Sequence, residues 1–439
     1  MTGRSAKGGH DYVPGHGDES FAVRHYDLEL AYTPDGNRLD GTATLTVEAL
    51  EEIGTVRLDL AHLSVAKVTV GGKQVRYTHR LGHLKITLPK TLEAGKTATV
   101  RVRYSGKPKP IRKRHLGSAG WEELTDGVLV AAQPHGAPSW YPCNDRPSDK
   151  ATYALTVTAP NDYLVAFSGE QTGRRRGGSS STSSFEQPVP IPPYLATLQI
   201  GQYVECEQDA RVPMRVVAPS DAFGSGLTDA FGAQPEMLAF FEDRFGPYPF
   251  ASYTAVITDD DLEIPLESAS LSTFGRNFCS RSWENVRLVA HELSHQWFGN
   301  AVTCRDWSGI WLHEGFACYA EWLWSEEIGG HSAQKWAERH HERLSGLAQD
   351  DLVLADPGPE LMFDDRVYKR GALALHALRI EVGDEAFFEV LRTWVAEHTG
   401  GSVDTEMFLD HVERVTDADA REVLRPWLFE TALPDLTSA

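Results

Sequence analysis

The first half of the chain alternates apolar and polar residues in short runs. Between residue 21 and about residue 205, this pattern recurs in FAVRHYDLELAY, GTATLTVEAL, VRLDLAHLSVAKVTV, LKITLPK and TATVRVRYSG. Turn signals such as PDGN and VGGK separate the runs. Because successive side chains of a strand point to opposite faces, the pattern predicts an antiparallel β-sandwich or a saddle-shaped assembly of sheets.

The pattern changes near residue 220, where apolar residues recur with the period of a helix. The segments are LTDAFGAQPEMLAFFEDRFG, SWENVRLVAHELSHQWFG, WLHEGFACYAEWLWSEEIGG, VYKRGALALHALRIEVG and EAFFEVLRTWVAEHTG. Several of them end at glycine, which suits a left-handed helix cap. Between them, ASYTAVITDDDLEIPLESASLSTFG indicates short strands and turns. The second half is therefore predicted to be a mixed α/β domain, mainly helical.

These patterns divide the chain into three parts. We predict a polar, Gly-rich tail at residues 1–20, an N-terminal β domain at residues 21–205 and a mainly helical domain at residues 206–439. The low-complexity stretch GRRRGGSSSTSS, Gly173 to Ser184, is interpreted as a flexible hairpin tip, with a charge-specific docking loop as the alternative.

Composition narrows the class of protein. A net charge of −20 and a pI near 5.3 argue against a general nucleic-acid binder. The first twenty residues lack the apolar core of a signal peptide, and no apolar run is long enough to span a membrane. Five scattered cysteines without CxxC pairs argue against a disulfide framework. We therefore expect a soluble, cytoplasmic protein.

The stretch HELSHQWFGN, His291 to Asn300, carries the first candidate chemistry. Residues four apart lie on one face of a helix, so His291 and His295 can point their imidazoles at one ion. Glu292, one step round the helix, can reach a water on that ion without being a ligand. Val286, Val289 and Leu293 are expected to form a buried stripe beside this pair, and Gly299–Asn300 to end the helix.

A catalytic zinc site also needs a third protein ligand and an open coordination position. Glu314, in IWLHEGFACYAEW, opens a second apolar-rich helix, with eighteen residues between it and His295. Two histidines and a glutamate leave the fourth position for water. A surface coincidence and a purely structural metal site are the alternatives. Histidines without partners at ligand spacing are expected to be surface or helix residues: His331, His340, His341 and His376.

These residues resemble the zinc aminopeptidases of the aminopeptidase N and leukotriene hydrolase family, which are gluzincins with a thermolysin-like catalytic domain. HELSHQWFGN, followed by Glu314-Gly315-Phe316-Ala317, carries the resemblance most clearly. Other segments resemble the family in the same order, from about residue 21 to residue 400: QPHGAPSWYPCNDRPSDKATYALTVTAP, FEQPVPIPPYLATLQIGQY, FEDRFGPYPFASYTAVI and VYKRGALALHALR. The resemblance implies that residues 206–439 form a thermolysin-like zinc catalytic domain.

The resemblance also implies particular site residues. It implies one Zn²⁺ per chain, with the ligands His291, His295 and Glu314. Glu292 matches the general base, and Tyr368 matches a tyrosine whose hydroxyl stabilises the oxyanion. Glu267, twenty-four residues before His291, matches a glutamate that binds the free α-amine of the substrate. Gln133 matches a glutamine of the N-terminal domain that lines the same pocket.

Three departures from the family pattern stand out. Where the family has G-x-M-E-N, this chain has Ile264-Pro265-Leu266-Glu267-Ser268, so peptide docking is expected to differ. Gly309 and His313 stand where the family places an Asp and an Asn near Glu314, so the metal affinity or pH optimum is expected to shift. His313 is also an alternative ligand. The family usually continues into a large helical domain, whereas this chain is a short form, so a more open cleft is expected unless a second subunit closes it.

The leading hypothesis is a zinc metallopeptidase that releases N-terminal amino acids from peptides. The alternatives are a peptide-maturing endopeptidase with the same chemistry and a non-catalytic, zinc-containing peptide-binding protein. Nothing in the residues indicates an epoxide substrate. We expect a peptide substrate, and neither nucleic-acid nor membrane partners, while the oligomeric state stays open. Cys304 and Cys318 are interpreted as buried packing residues rather than ligands.

Overall fold

The N-terminal half consists of strands. The computed structural model describes residues 12–436. Its first strands are β1 (Phe21–Thr33), β2 (Arg38–Ala49), β3 (Ile53–Asp59), β4 (Ser64–Val70), β5 (Lys73–Gln74), β6 (Tyr77–Arg80), β7 (His83–Leu92), β8 (Thr97–Gly106), β9 (Ile111–Lys113), β10 (Gly117–Glu123), β11 (Val128–Ala131), β12 (Ala151–Pro160), β13 (Leu164–Phe167), β14 (Glu170–Arg176), β15 (Ser180–Ile191) and β16 (Leu198–Gly201).

Three sheets arise from these strands. The largest has the order β14-β15-β12-β1-β2-β8-β4-β5, and the others are β13-β16-β11-β10-β9 and β3-β7-β6. Alternate residues are buried, for example Leu28 of β1, Leu45 of β2 and Val100 of β8, as the alternating sequence pattern predicts. One pairing differs from the predicted antiparallel order, because β1 lies parallel to β12. The long excursion between these two strands permits that pairing, which a tight hairpin cannot make.

The second half adds helices around a smaller sheet. Its elements are β17 (Tyr203–Gln208), β18 (Met214–Pro219), α1 (Ser225–Phe231), α2 (Gln234–Phe245), β19 (Tyr253–Ile257), β20 (Leu266–Ser268), β21 (Leu271–Phe274), α3 (Trp283–Ser294), β22 (Thr303–Cys304), α4 (Trp311–Glu327), α5 (Ala333–Ser345), α6 (Asp365–His398), β23 (Ser402–Val403), α7 (Thr405–Thr416) and α8 (Ala420–Phe429). The sheet order is β17-β18-β19-β21-β20, and this arrangement confirms the predicted mixed, mainly helical domain. Strand β17 belongs to this sheet and spans the boundary predicted between residues 205 and 206.

Helix α6 contains a break that the glycine pattern anticipates. Gly383 has φ 79° and ψ 165°, so the helical backbone is interrupted there. This residue ends the first of the two helical segments that the periodicity predicts, VYKRGALALHALRIEVG, and EAFFEVLRTWVAEHTG follows it. Glycine adopts this conformation without the steric penalty that other residues carry. No described helix is both long and apolar enough to cross a membrane.

Two glycines allow α4 and α6 to cross very closely. A Cβ placed on Gly371 would lie only 2.7 Å from the Cα of Gly315, and no side chain fits at that separation. Gly315 directly follows Glu314, and Gly371 lies about one turn after Tyr368. The crossing therefore places the start of α4 beside the first turn of α6, and with it two of the predicted site residues.

Buried polar contacts join the two halves of the molecule. Lys150 is buried, and its Nζ donates to the carbonyl oxygens of Ala301 and Gly401, each at 2.8 Å. The segment just before β1 also bridges the halves. Tyr12 is buried, its hydroxyl donates to Asp356, and the same hydroxyl accepts from the backbone N–H of Gly358 at 2.8 Å. Of the predicted polar tail, residues 1–11 lie outside the described range.

Two further sequence expectations concern the surface and the thiols. The stretch from Gly173 to Ser184 forms the end of the hairpin β14–β15, where Arg174, Arg175 and Arg176 are exposed. The hairpin prediction is confirmed at this position. All five cysteines are free thiols, and Cys304 and Cys318 are buried, as expected for packing residues.

Candidate active site

Helix α3 presents His291 and His295 on one face. Ser282 caps the helix by accepting from the backbone N–H of Asn285, and His295 is the residue at its C-terminal end. Both imidazoles are buried, while Val289 and Leu293 pack into the core. The helix ends at Ser294, before the stop predicted at Gly299–Asn300. The backbone N–H groups of Gln296 and Trp297 bond to carbonyls three residues back, and this tighter turn ends the α-helical spacing.

Glu314, in the first turn of α4, faces both histidines. Its Oε2 lies 3.4 Å from Nε2 of His291 and 3.5 Å from Nε2 of His295. Ligands at about 2.0–2.1 Å from a tetrahedral zinc lie about 3.3 Å from one another. Both distances from Glu314 therefore match those of a zinc site, and all three donor atoms lie within 4.8 Å of one another. The hypothesis of an unrelated surface Glu314 is wrong.

The far side of each imidazole determines which nitrogen faces the ion site. Nδ1 of His291 lies 2.8 Å from Oε1 of Glu321, and Nδ1 of His295 lies 3.0 Å from the carbonyl oxygen of Phe298. Both of these partners are acceptors, so each Nδ1 carries the hydrogen. Nε2, the nitrogen that faces Glu314, is then the one left in each ring to bind a metal ion. This donor set fits zinc.

Glu321 is a site residue that the sequence interpretation missed. Its Oε2 accepts from Arg287 at 3.1 Å. Burial alone raises the pKa of Glu321, but Lys369, His291 and Arg287 outweigh burial and lower it. The carboxylate is therefore ionised beside His291. The sequence spacing could have identified Glu321, because it follows Glu314 by two helical turns and so lies on the same face of α4.

Glu292 lies inside the site with one oxygen unsatisfied. Its side chain is buried, and Oε2 has no hydrogen-bond partner among the described residues. Burial is the main cause that raises the pKa of Glu292 to about 8, assisted by the negative charge of Glu267 and opposed by His291. A carboxyl group with a raised pKa and a free oxygen can both accept and return a proton near neutral pH.

Glu267 and Gln133 meet at the edge of the same site. Glu267 lies in β20, at the end of its sheet, and Nε2 of Gln133 donates to its Oε1 at 2.6 Å. The donor atoms of Glu267, Glu292 and His295 all lie within 4.8 Å of one another. The strand begins directly after Pro265, and Glu267 is buried beside the candidate zinc ligands despite the departure from the family motif.

Tyr368 reaches the site from the first turn of α6. Its ring stacks on that of His291, with 6.0 Å between the ring centroids and 21° between the planes. Burial, followed by the charges of Glu314 and Glu267, raises the pKa of Tyr368 well above its ordinary value. The hydroxyl therefore stays protonated at neutral pH and can donate a hydrogen bond to a developing negative charge.

His313 does not join the donor set. Its Nε2 accepts from the backbone N–H of Cys304 at 2.7 Å, and burial lowers its pKa to about 3. The ring is thus a neutral acceptor that ties β22 to α4. His376 contacts the hydroxyl of Tyr319 and the amide of Gln334, as expected for a helix histidine. His340 differs from the predicted surface residue, because its ring is half-buried against Trp322.

A cleft of about 960 Å³ opens over these residues. The N-terminal domain contributes Gln133 and the face of β10 and β11 that carries Glu122 and Leu129. The second domain contributes β20 together with residues of α3, α4, α5 and the start of α6. The site is therefore formed between both halves of the chain.

Comparisons with known proteins agree with this geometry. The family model described as "Peptidase M1 N-terminal domain" matches residues 22–195, and the one described as "Peptidase family M1 domain" matches residues 230–427. Leukotriene A-4 hydrolase of Xenopus laevis is 27% identical over 88% of this chain and 67% of its own length. Aminopeptidase N of Lactobacillus delbrueckii subsp. lactis is 26% identical over 95% of this chain and 52% of its own length. The chain thus spans between half and two thirds of these curated relatives.

A solved structure resembles nearly the whole chain. A mutant M1 zinc metallopeptidase from Deinococcus radiodurans, bound to a Tyr-Ser-Ala substrate, superposes with a TM-score of 0.90 at 35% identity. The match covers 98% of this chain and 99% of that one. The two domains, their order and the donor set of the site lead to one conclusion: the chain belongs to peptidase family M1, a family of zinc metallopeptidases.

Proposed function

We propose that this protein is a zinc aminopeptidase that releases the N-terminal residue of peptides. The observation that carries the proposal is the position of the Glu267–Gln133 pair beside the candidate zinc ligands. A carboxylate held there can pair with an ammonium group only a short distance from the bond to be cleaved. The substrate is then limited to the first peptide bond, because an internal segment has no ammonium group to offer.

The proposed residue roles follow from the contacts. The zinc ligands are His291, His295 and Glu314, in the domain that we place at residues 206–439. When bound there, zinc would supply a Lewis acid that lowers the pKa of water toward about 7 and polarises the scissile carbonyl. Glu292 accepts the proton of the attacking water on its free oxygen and returns it to the leaving amine. Tyr368 donates its hydroxyl hydrogen to the oxygen that becomes negative.

The relatives support a peptide substrate with a free N-terminus. One relative is named an aminopeptidase, and the Deinococcus structure contains a short peptide, Tyr-Ser-Ala, as its substrate. The free and mostly buried cysteines are consistent with a reducing compartment, so we infer a cytoplasmic location. The open edge of β20 favours one competing activity, cleavage of internal bonds in longer peptides.

A comparison of free and N-acetylated peptides tests the proposal. The zinc-loaded protein should release the first residue of a free peptide and cleave the acetylated peptide far more slowly. Glu267→Gln should remove this preference, because an amide cannot neutralise an ammonium group. Equal cleavage of both peptides by the unmodified protein would contradict amine anchoring and establish the endopeptidase activity instead. Glu263→Gln, a change of another glutamate that lines the cleft, is the matched control.

A further inference from the structure

The cleft has opposite charges at its two ends. At the candidate zinc site, the lining carboxylates are Glu267, Glu292 and Glu314. At the other end of α3, the guanidinium of Arg339 lies over Trp336, whose ring stacks on that of Trp283. A peptide with two free termini carries the complementary charges, positive at its first residue and negative at its last.

One face of α3 sets the length of this polarised cleft. Residues from Trp283 to His295 line it at intervals of one helical turn. Twelve residues of helix rise about 18 Å. An extended peptide advances about 3.3 Å per residue, so about five residues span the same length. Glu267 lies beside His295, at the C-terminal end of α3, and a peptide held there by its amine would extend toward Trp283.

Stacked rings form the wall at that distant end. Trp283 stacks on Trp336 with 5.8 Å between centroids, and Trp336 stacks on His340 at 5.7 Å. His340 in turn stacks on Trp322 at 5.3 Å, with only 5° between the planes. Burial, with Lys369 and Arg343 nearby, lowers the pKa of His340 to about 4, so the ring is uncharged at neutral pH. The stacked rings therefore form an aromatic, apolar wall.

Arg339 is the cation at this end whose charge is not neutralised by an ion pair. Of the other cations that line the cleft, Arg287 pairs with Glu321, Arg343 pairs with Asp365, and Nζ of Lys369 donates to Sγ of Cys318. The guanidinium of Arg339 instead lies over Trp336, 4.9 Å from the ring centroid. Within residues 12–436, Arg339 forms no ion pair. The aromatic ring holds the guanidinium in place while its N–H groups remain available to an anion.

We propose that Arg339 and Trp336 form a carboxylate-recognising subsite at the far end of the cleft. This inference rests on the proposed aminopeptidase function and specifies its substrate class as short peptides, of about five residues, with a free C-terminal carboxylate. Such a peptide is bound at both termini, by Glu267 at the amine and by Arg339 at the carboxylate. The apolar wall between Trp283 and Trp322 contacts the side chains that lie between these two anchors.

Peptide acids and the corresponding C-terminal amides distinguish this proposal from its alternatives. Release of the first residue would be measured for alanine-rich peptides with an N-terminal leucine, in a series from dipeptides to hexapeptides. At the length that reaches Arg339, the acid should have a kcat/KM roughly three- to tenfold above that of the amide. Arg339→Gln should lower kcat/KM for the acid to the amide value and leave the amide unchanged. Arg339→Lys should retain part of the difference.

Two further arms identify the source of the carboxylate and control for charge. An amidated peptide that ends in glutamate should regain the advantage if a side-chain carboxylate also binds Arg339, and only the acid should show it if the α-carboxylate is specific. Arg175→Gln, in the exposed hairpin β14–β15, changes the net charge equally and should leave the ratio intact. The same acid-to-amide ratio in Arg339→Gln as in the unmodified protein, at every length, would overturn the proposal.

The experiments distinguish a failure of the proposed aminopeptidase function from a failure of the carboxylate subsite. No release of a first residue from any peptide would refute that function without addressing the subsite. Calorimetric binding of the same peptides to the zinc-loaded Glu292→Gln variant supplies an independent measure. The acid should bind more tightly than the amide there, and the additional change Arg339→Gln should abolish the difference. Equal binding of acid and amide would refute the carboxylate subsite by itself.

Discussion

Glu321 controls how one candidate ligand faces the ion site. Its carboxylate fixes the hydrogen on Nδ1 of His291 and pairs with Arg287, while the charge of Lys369 helps to keep it ionised. Glu321→Gln keeps the shape and an acceptor oxygen but removes the charge. We expect the affinity for zinc to fall roughly 10- to 100-fold, because a polarised imidazole is the better ligand. Competition with a chelator measures the affinity.

Glu327→Gln is the matched control for this change. Glu327 lies at the exposed C-terminal end of the same helix, so its charge is lost without contact to a histidine. It should bind zinc as tightly as the unmodified protein. An unchanged zinc affinity in Glu321→Gln would show that the hydrogen bond alone, without the charge, orients His291.

Glu292 should be needed for turnover but not for metal binding. Its Oε2 is buried without a partner, and Glu292 is not one of the three groups that meet at the candidate zinc site. Glu292→Gln is therefore expected to retain zinc while kcat falls by about 100- to 10,000-fold, the usual contribution of a general base. Metal analysis and steady-state kinetics on the same sample test both parts. Normal hydrolysis would remove Glu292 from the mechanism.

For individual residues, sequence spacing predicts which side chains lie together when they share a helix or a known motif. His291, His295 and Glu314 lie together as their spacing predicts. The role of His313 could not be predicted, because it depends on the backbone N–H of Cys304 from another segment. The neutral state of that ring is a consequence of burial, and burial is a property of the folded chain.

The crossing of α4 and α6 determines where Tyr368 lies relative to Glu314. Gly371→Ala would place a methyl group 2.7 Å from the Cα of Gly315, so the helices must separate. We expect a loss of about 1–3 kcal/mol in the free energy of unfolding, as for other overpacked contacts. We also expect a lower kcat, because Tyr368 moves with its helix. Chemical denaturation and kinetics measure the two effects.

Two further variants separate the effect of the Tyr368 hydroxyl on kcat from the effect of an added methyl group on stability. Tyr368→Phe removes only the hydroxyl, so it should lower kcat and leave the free energy of unfolding nearly unchanged. Gly173→Ala adds a methyl group in a strand where no atom lies within 4 Å, and it should affect neither quantity. Native kcat and stability in Gly371→Ala would show that the crossing has room for a side chain.

Local sequence signals predict where helices and strands lie better than they predict which of these elements pack together. The glycine after IEV marks the break in α6 because a local backbone conformation requires glycine there. The end of α3 at Ser294 differs from the prediction, because a tighter turn satisfies the next backbone groups before Gly299 is reached. The parallel pairing of β1 with β12 and the contact between Gly315 and Gly371 depend on segments far apart in sequence, so no local pattern reveals them.

Lys150 links the N-terminal domain to the turn after the zinc-site helix. Its Nζ donates to the carbonyls of Asn300, Ala301 and Gly401. Lys150→Met would leave these buried acceptors without a donor, at a cost of about 1–3 kcal/mol each when water does not replace it. We expect a lower stability of the whole molecule at pH 8, measured by chemical denaturation.

The pH dependence of this effect has a definite sign. Burial lowers the pKa of Lys150 from 10.5 to about 7. Between these values the unfolded chain binds a proton that the folded chain lacks, so this group makes stability rise with pH. The stability difference between the unmodified protein and Lys150→Met should therefore increase from pH 7 to pH 10. Lys335→Met, an exposed lysine on α5, should show no such trend, and a constant difference for Lys150→Met would contradict the lowered pKa.

The two domains follow one another along the chain in the order of the sequence motifs. Its two domains and their fold classes could be predicted, because each has its own periodicity. The shared cleft could be predicted only in part. Gln133 matched a known motif, whereas the opposing charges at the two ends of the cleft come from several helices whose relative positions only the folded chain defines.

The anchoring of Tyr12 has a practical consequence for expression and labelling. Its hydroxyl contacts Asp356 and Gly358, in the loop that leads into the helix of Tyr368. A truncation that begins at the first strand would remove this anchor and expose the loop beside the active site. A reporter group is therefore better attached upstream of Tyr12 than in place of it. An environment-sensitive dye near that residue would report on the catalytic half of the protein although it is attached to the other half.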